Sequence, residues 1–178
     1  MMKDTSVQEG LSVKFTSSIA PVNPRSDRDL NKAVLALSHR RYNLGDSDTG
    51  YNTRDYHGWS GMKADLEAKE KPLVIAPVYM LDHGGLVIST KPFSCAMDSG
   101  QVGWAFVPAS SGLTAEQAQY ALDSELKLYG AYISGDLYDL TIEAPLSGEI
   151  LLEEFSMTRE QAELAVQDFL AARRRGAV

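Results

Sequence analysis

The middle of the chain contains, one after another, LVIAPVYML (residues 73–81), DHGG (82–85) and LVIST (86–90). Two apolar runs joined by a short segment with a Gly-Gly pair are typical of a β-hairpin. Pro77 has no amide hydrogen to donate, so it places the first strand at a sheet edge or a bulge. The segment VGWAFV (102–107) predicts a third strand that can lie beside the hairpin.

Two helices are predicted on either side of a second hairpin. Their starts, LTAEQA (113–118) and MTREQA (157–162), have the capping-box pattern. In this pattern the Thr hydroxyl accepts from the amide three residues on, and the Gln side chain reaches back to the Thr amide. The second helix is predicted over 158–175, with arginines at its negative end. Between the helices, 137–143 and 149–155 flank PLSG and predict the hairpin.

The N-terminal part completes the predicted fold. LSVKF (11–15) alternates like a half-buried strand, and DLNKAVLAL (29–37) predicts a short helix. Residues 1–10 are polar, and we expect them to be flexible. The order of elements predicts an α+β fold in a single globular domain, residues 1–178. Its antiparallel sheet has about five to six strands, with two main helices packed on one face.

The composition is that of an acidic protein. Seventeen Lys and Arg against 24 Asp and Glu give a formal charge of −7. Because nucleic acid and anionic membranes attract a basic face, this charge argues against direct binding to either. Cys95 is the single cysteine, which excludes an intramolecular disulfide and fits a reducing compartment. No apolar run approaches the ~18 residues of a membrane span, so we expect a cytoplasmic protein.

A polar loop between the predicted strands contains the residues best suited to chemistry. Cys95, His83 and Asp98 are the parts of a thiol nucleophile, its base and the group that orients the base. However, His83 and Cys95 flank the strand 86–90 at opposite ends, roughly 17 Å apart at ~3.3 Å per residue. The spacing therefore gives no evidence that they meet, and a buried, apolar role for Cys95 is the alternative.

A metal site is a further alternative. The residues with suitable side chains are His39, His57, His83 and Cys95, with Asp46 or Asp98 to complete a set. Their spacing matches no compact ligand pattern, since there is no second cysteine and no closely spaced pair of histidines. We therefore expect neither a metal nor a cofactor.

Two patterns suit contact with another protein. In HRRYNLGD (39–46), Arg40 and Arg41 precede Tyr42. They either contact an anion or a partner, or pair inside the fold with Asp46, Asp98 or Glu125. An acidic strip rich in tyrosine contains Glu125, Tyr129, Tyr132, Asp136, Tyr138, Asp139 and Glu143. Such a strip suits protein recognition or imitates a row of phosphates, as a DNA mimic does, and an ordinary solvated face is the alternative.

Four segments appear in a specific order: HRRYNLGD (39–46), YMLDHGG (79–85), STKPFSC (89–95) and DSGQVG (98–103). Together they resemble a widespread family of small proteins of unassigned function that phages and mobile elements encode. The segments ELKLY (125–129) and YISGDLY (132–138) look like the family's later part. The chain departs at Gly84, where Ser is usual, and at Met97, where Trp is usual. The resemblance implies an accessory protein of a virus or plasmid and supplies no catalytic residues.

We therefore expect a phage or mobile-element protein that antagonises a host defence system, of CRISPR or restriction type, by binding one of its protein components. The predicted contact residues are Arg40, Arg41, Tyr42, Asp46, Glu125, Tyr132, Asp136 and Tyr138. For such a site to exist, the stretches 39–46 and 92–103 must line a common hollow. Two alternatives stay open: a Cys/His-dependent hydrolase or transferase around Cys95, and a phage structural module that forms a homo-oligomer.

Overall fold

The protein has an α+β fold, seen in a computed structural model that describes residues 3–176. The strands are β1 (Lys3–Gln8), β2 (Leu11–Ser17), β3 (Val34–Leu37), β4 (Val74–Asp82), β5 (Leu86–Ser89), β6 (Ser99–Val107), β7 (Tyr138–Glu143) and β8 (Ile150–Met157). The helices are α1 (Gly58–Glu70), α2 (Ala115–Ser134) and α3 (Arg159–Arg174). Within the described residues the strands form two antiparallel sheets of four, ordered β1-β2-β7-β8 and β3-β6-β4-β5.

The chain groups into two compact units, each with one sheet. Pro24–Gly130 forms one unit, and, among the described residues, 3–23 and 131–176 together form the other. The core of the latter unit consists of Leu11, Val13, Phe15, Leu140, Ile142, Ala162, Val166 and Leu170. The first three alternate along β2, the next two alternate along β7, and the last three form a stripe on α3. This stripe packs α3 against its own sheet.

Both predicted capping boxes are confirmed. At the start of α3, the amide of Gln161 donates to Oγ1 of Thr158 (3.2 Å), and the amide of Thr158 donates to Oε1 of Gln161 (2.9 Å). Thr114 and Gln117 make the same two bonds before α2, at 3.2 and 3.0 Å. These bonds satisfy amides that a helix start otherwise leaves unpaired, which explains why a short pattern predicts the boundary.

The Pro24–Gly130 unit contains the predicted central hairpin. β4 pairs with β5 from Tyr79–Ser89 to Asp82–Leu86, and β6 pairs with β4 on its other side. The register between β4 and β6 shifts directly after Val78, next to Pro77, where the sequence predicts an edge or a bulge. α1 covers this sheet through a cluster formed by Ala36, Met62, Leu66, Trp104 and Phe106.

The prediction of a single sheet of five to six strands is wrong. β2 and β7 pair with each other through contacts such as Phe15–Leu140, and neither joins the sheet that contains the central hairpin. Partners so distant in sequence leave no local pattern, because a strand's alternation defines its buried face and not its neighbour.

The prediction of a short helix over residues 29–37 is also wrong. Arg28–Leu30 form one turn of 3-10 helix, and Val34–Leu37 form β3. The amides of Lys32 and Ala33 donate to the carboxylate of Glu125 at 2.8 and 3.2 Å, so they are not available to a helix. A distant side chain therefore replaces the helical hydrogen bonds.

Residues 1–10 contain a strand where flexibility is expected. Lys3–Gln8 form β1, which pairs with β2 from Lys3–Thr16 to Gln8–Leu11. At this unit's surface, Arg159 donates to Asp4 at 2.8 Å, and Arg174 forms an ion pair with Glu9. These charge pairs link β1 and the turn after it to both ends of α3.

Candidate functional site

Residues 39–41 and 97–102 line one hollow of about 330 Å³ in the Pro24–Gly130 unit, together with Met80 and Asp82. Strand pairing brings them there. The amide of Ser38 donates to the carbonyl of Val102 at 2.7 Å, and the amide of Asp82 donates to the carbonyl of Asp98 at 2.9 Å. Part of each stretch expected from the sequence, 39–46 and 92–103, therefore lines a common hollow, which is open to solvent.

Charged and aromatic groups are already ordered on one wall of the hollow. Arg41 forms an ion pair with Asp82, and Tyr42 donates its hydroxyl to the same carboxylate oxygen at 3.0 Å. The Arg41 guanidinium lies 5.4 Å from the centre of the Tyr42 ring. The hydrogen bond to Asp82 raises the pKa of Tyr42 above its usual value, and burial adds to this effect. Tyr42 is therefore a neutral donor at physiological pH.

His39 stacks on Tyr42, with ring centres 5.1 Å apart and an angle of 12° between the ring planes. Burial lowers the pKa of His39, and the cations of Arg41 and Arg40 lower it further. The ring is therefore neutral at pH 7, and its Nδ1 accepts from the amide of Arg41 at 3.3 Å. Arg40 is exposed beside it and has no carboxylate partner among residues 3–176.

The structure brings together the three residues that the sequence could not connect. Nδ1 of His83 lies 3.1 Å from Oδ2 of Asp98, and the thiol of Cys95 donates to the same oxygen at 3.4 Å. The estimate of 17 Å between His83 and Cys95 assumes that the chain continues straight. Instead, the loop folds back along the hairpin, since Asp82 binds the backbone of Asp98. Cys95 is exposed, so the buried role for it is wrong.

Two of the predicted contact residues are internal. Arg25 donates to both carboxylate oxygens of Asp46, at 2.6 and 2.9 Å, and to Oε2 of Glu125 at 2.7 Å. The Asp46 and Glu125 side chains are only 6% and 16% exposed. Both are therefore corrected from surface contacts to buried partners of Arg25. The sequence analysis missed Arg25 because a lone arginine directly after Pro24 shows no pattern.

Five members of the acidic strip belong to the unit formed by the chain ends: Tyr132, Asp136, Tyr138, Asp139 and Glu143. Tyr138 donates to Asp136 at 2.9 Å, and this bond raises the pKa of Tyr138, with burial adding to the effect. Arg159 lies 5.8 Å from the centre of the Tyr138 ring. Tyr132 lies in the last turn of α2 and is half-buried. The strip is thus divided between the two units, because Glu125 and Tyr129 belong to the Pro24–Gly130 unit.

No group of three or more His, Cys, Asp or Glu side chains among residues 3–176 has a geometry that could hold a metal ion. His57 is exposed at the N-cap of α1, where its side chain makes no capping bond. In the described part of the chain, none of the helices has the length and apolarity to cross a membrane.

These observations define an α+β protein with a polar hollow between the end of β3 and the start of β6. No protein-family model, curated protein or solved structure matches this chain.

Proposed function

We propose that this protein is a phage or mobile-element accessory protein that acts in the host cytoplasm and binds a protein component of a host defence system. One observation carries the proposal: residues 39–41 and 97–102, from two separate segments that resemble the phage family, line the same hollow. Loops held by paired strands are the usual places for recognition residues. The meeting of these two segments supports a shared role in binding at this face.

The side chains around the hollow suit a protein partner. Arg40 and Arg41 are exposed, and Met97 on the rim is 96% exposed. Arginine, tyrosine and methionine are enriched in protein interfaces. A small number of interface residues carries most of the binding energy. Asp82 already pairs with the Arg41 guanidinium, and Tyr42 donates to the same carboxylate, which reduces the entropy lost on binding. A partner patch with carboxylates around an apolar depression matches this surface.

The alternative of DNA mimicry is less well supported. A mimic needs a continuous row of exposed carboxylates, but Glu125 is held by Arg25 and by two backbone amides. The arginine face around the hollow instead selects a partner with negative charge. Because the whole chain carries −7, such a partner must meet this face and not the rest of the surface.

The test combines partner capture with a phage assay. Tagged protein is expressed in cells that each contain one defence system, and captured proteins are identified by mass spectrometry. We expect capture of one identified defence component and increased phage plating in that strain. Arg40→Glu reverses the exposed charge without breaking a contact inside the described chain, so it should abolish both effects.

Lys91→Glu is the matched control, because Lys91 is exposed in the neighbouring loop and does not line the hollow. It should leave capture and plating unchanged. If no defence system responds to the wild-type protein, the proposal of defence antagonism is wrong. If Arg40→Glu and Lys91→Glu behave alike, the hollow is not the binding face.

A further inference from the structure

β8 (Ile150–Met157) lies at the edge of its sheet. It pairs with β7 on one side, and within residues 3–176 no strand pairs with its other side. With 8 residues it is longer than β1, β3 and β5, the other strands at sheet edges. The edge of β3 is covered, because the amide of Leu35 donates to Asp46 and the carbonyl of Leu35 accepts from the amide of Asp46. The backbone groups of β8 that point away from β7 are instead a template for a further strand.

Two glutamates lie at the centre of this edge. Glu153 pairs with Thr141, and Glu154 pairs with Leu140. Because Leu140 belongs to the core that α3 covers, Glu154 lies on the α3 face of the sheet and Glu153 on the opposite face. Both side chains are exposed, and neither carboxylate has a partner in the described part of the chain. A strand added here therefore meets negative charge on both of its faces.

We propose that β8 binds an extended segment of another protein, apolar with basic residues at its centre, as a fifth strand of this sheet. In this mode of recognition, main-chain hydrogen bonds give affinity and the side chains opposite give specificity. Glu153 and Glu154 select lysine or arginine, since opposite charges on neighbouring strands stabilise their pairing. Ile150 and Phe155, which are 54% and 61% exposed, offer apolar contacts on either side. The inference is independent of the hollow and its proposed partner.

The pairing of β8 with β7 concentrates the added strand on the glutamates. The register between β7 and β8 shifts on both sides of the run from Leu140–Glu154 to Ile142–Leu152. Such irregularities bend a strand and interrupt its edge. The regular part between them, residues 152–154, contains both glutamates, so these dominate what a partner strand meets.

A second copy of this protein is a poorer occupant of the edge. Two β8 strands paired antiparallel with full overlap bring the glutamates of both copies side by side at the centre. Like charges on neighbouring strands destabilise the pairing. Glu153 and Glu154 thus keep copies of the protein apart and attract a basic strand.

The experiment compares two labelled peptides, each as long as β8, in which threonine and valine alternate around two central lysines or two central glutamates. Fluorescence anisotropy measures their binding to the full chain. We expect the lysine peptide to bind at least about tenfold more tightly. The double variant Glu153→Lys/Glu154→Lys should reverse this preference. Equal binding of the two peptides to the wild-type protein, or binding of neither, would overturn the proposal.

Glu116→Lys/Asp168→Lys is the matched control, because it changes the net charge equally at two exposed positions outside β8. It should keep the preference for the lysine peptide. A reversed preference in this control would mean that the net charge selects the peptide, and the role of the two glutamates would be wrong.

Hydrogen exchange separates strand addition from charge attraction alone. When the lysine peptide binds, the β8 amides that point away from β7 should exchange at least about tenfold more slowly, while those of β3 stay unchanged. Binding without this protection would show that no strand is added. Arg40→Glu should bind the lysine peptide like the wild-type protein, because Arg40 lines the hollow and not this edge. A weakened peptide would contradict the independence of the two surfaces.

Discussion

Arg25 shows how one residue can hold distant segments together. Its side chain is 1% exposed, and it donates to Asp46, Glu125, Asn31 and the carbonyl of Ala33. Burial lowers the pKa of Arg25, but the hydrogen bonds to Asp46 and Glu125 outweigh burial and raise it above its usual value. The guanidinium therefore stays charged, and it neutralises two carboxylates that would otherwise lie in the interior without a counter-charge.

Replacing Arg25 by methionine should strongly destabilise the protein. Methionine fills similar space, but it leaves the carboxylates of Asp46 and Glu125 without a cation, which costs about 3–5 kcal/mol of unfolding free energy. Arg28→Met is the matched control, because Arg28 is exposed, and it should change this free energy by no more than about 0.5 kcal/mol. Urea unfolding measures both. Equal midpoints for the two variants would show that the network does not stabilise the fold.

At the scale of elements, the pairing of β3 with β6 positions the hollow, and it requires a glycine. Gly103 pairs with Leu37 and has a φ of 158°. A Cβ atom there would lie 2.2 Å from the carbonyl oxygen of Ala36 and 2.9 Å from the Cα of Leu37. Because both neighbours are backbone atoms, neither can move aside without separating the strands.

Gly103→Ala should therefore cost about 3 kcal/mol of unfolding free energy and expose the β3 amides to hydrogen exchange. Gly100→Ala is the control three residues earlier in the same strand, since a Cβ atom at Gly100 meets nothing within 4 Å. We expect the melting temperatures of the two variants to differ by about 6–12 °C, because 1 kcal/mol corresponds to about 2–4 °C in a protein of this size. Similar melting temperatures would mean that the strands tolerate the extra atom.

Elements with local causes could be predicted from the sequence. The central hairpin depends on its own turn, and the capping boxes of Thr114 and Thr158 satisfy amides three residues away. β3 could not be predicted, because its start is fixed by Glu125, a distant residue in helix α2. The site follows the same rule. The 39–46 and 92–103 stretches were identified from their composition, whereas the meeting of Cys95 with His83 depends on how the loop returns along β4.

At the scale of the whole molecule, each sheet joins one pair of strands that lie far apart in the sequence, and that separation is greatest for β2 and β7. In the Pro24–Gly130 unit, β4 pairs with β5 and β6, both of which follow closely along the chain. In the other unit, β2 pairs with β7, so that Phe15 meets Leu140. Nothing in either strand predicts this partner, which is why the sequence analysis merged all strands into one sheet.

The same difference predicts the order of folding. Closing the chain between β2 and β7 (Ser17 to Tyr138) costs about 1.5 kcal/mol more entropy than closing β4 onto β6 (Leu81 to Ser99), roughly a tenfold difference in rate. During refolding, pulsed hydrogen exchange should therefore protect the paired amides of β4 and β6 before those that join β2 to β7. The β7–β8 hairpin is a useful internal control, because it belongs to the slower unit but pairs locally, so its amides should gain protection early. Protection of β2 together with β4 and β6 would show that chain closure does not limit this step.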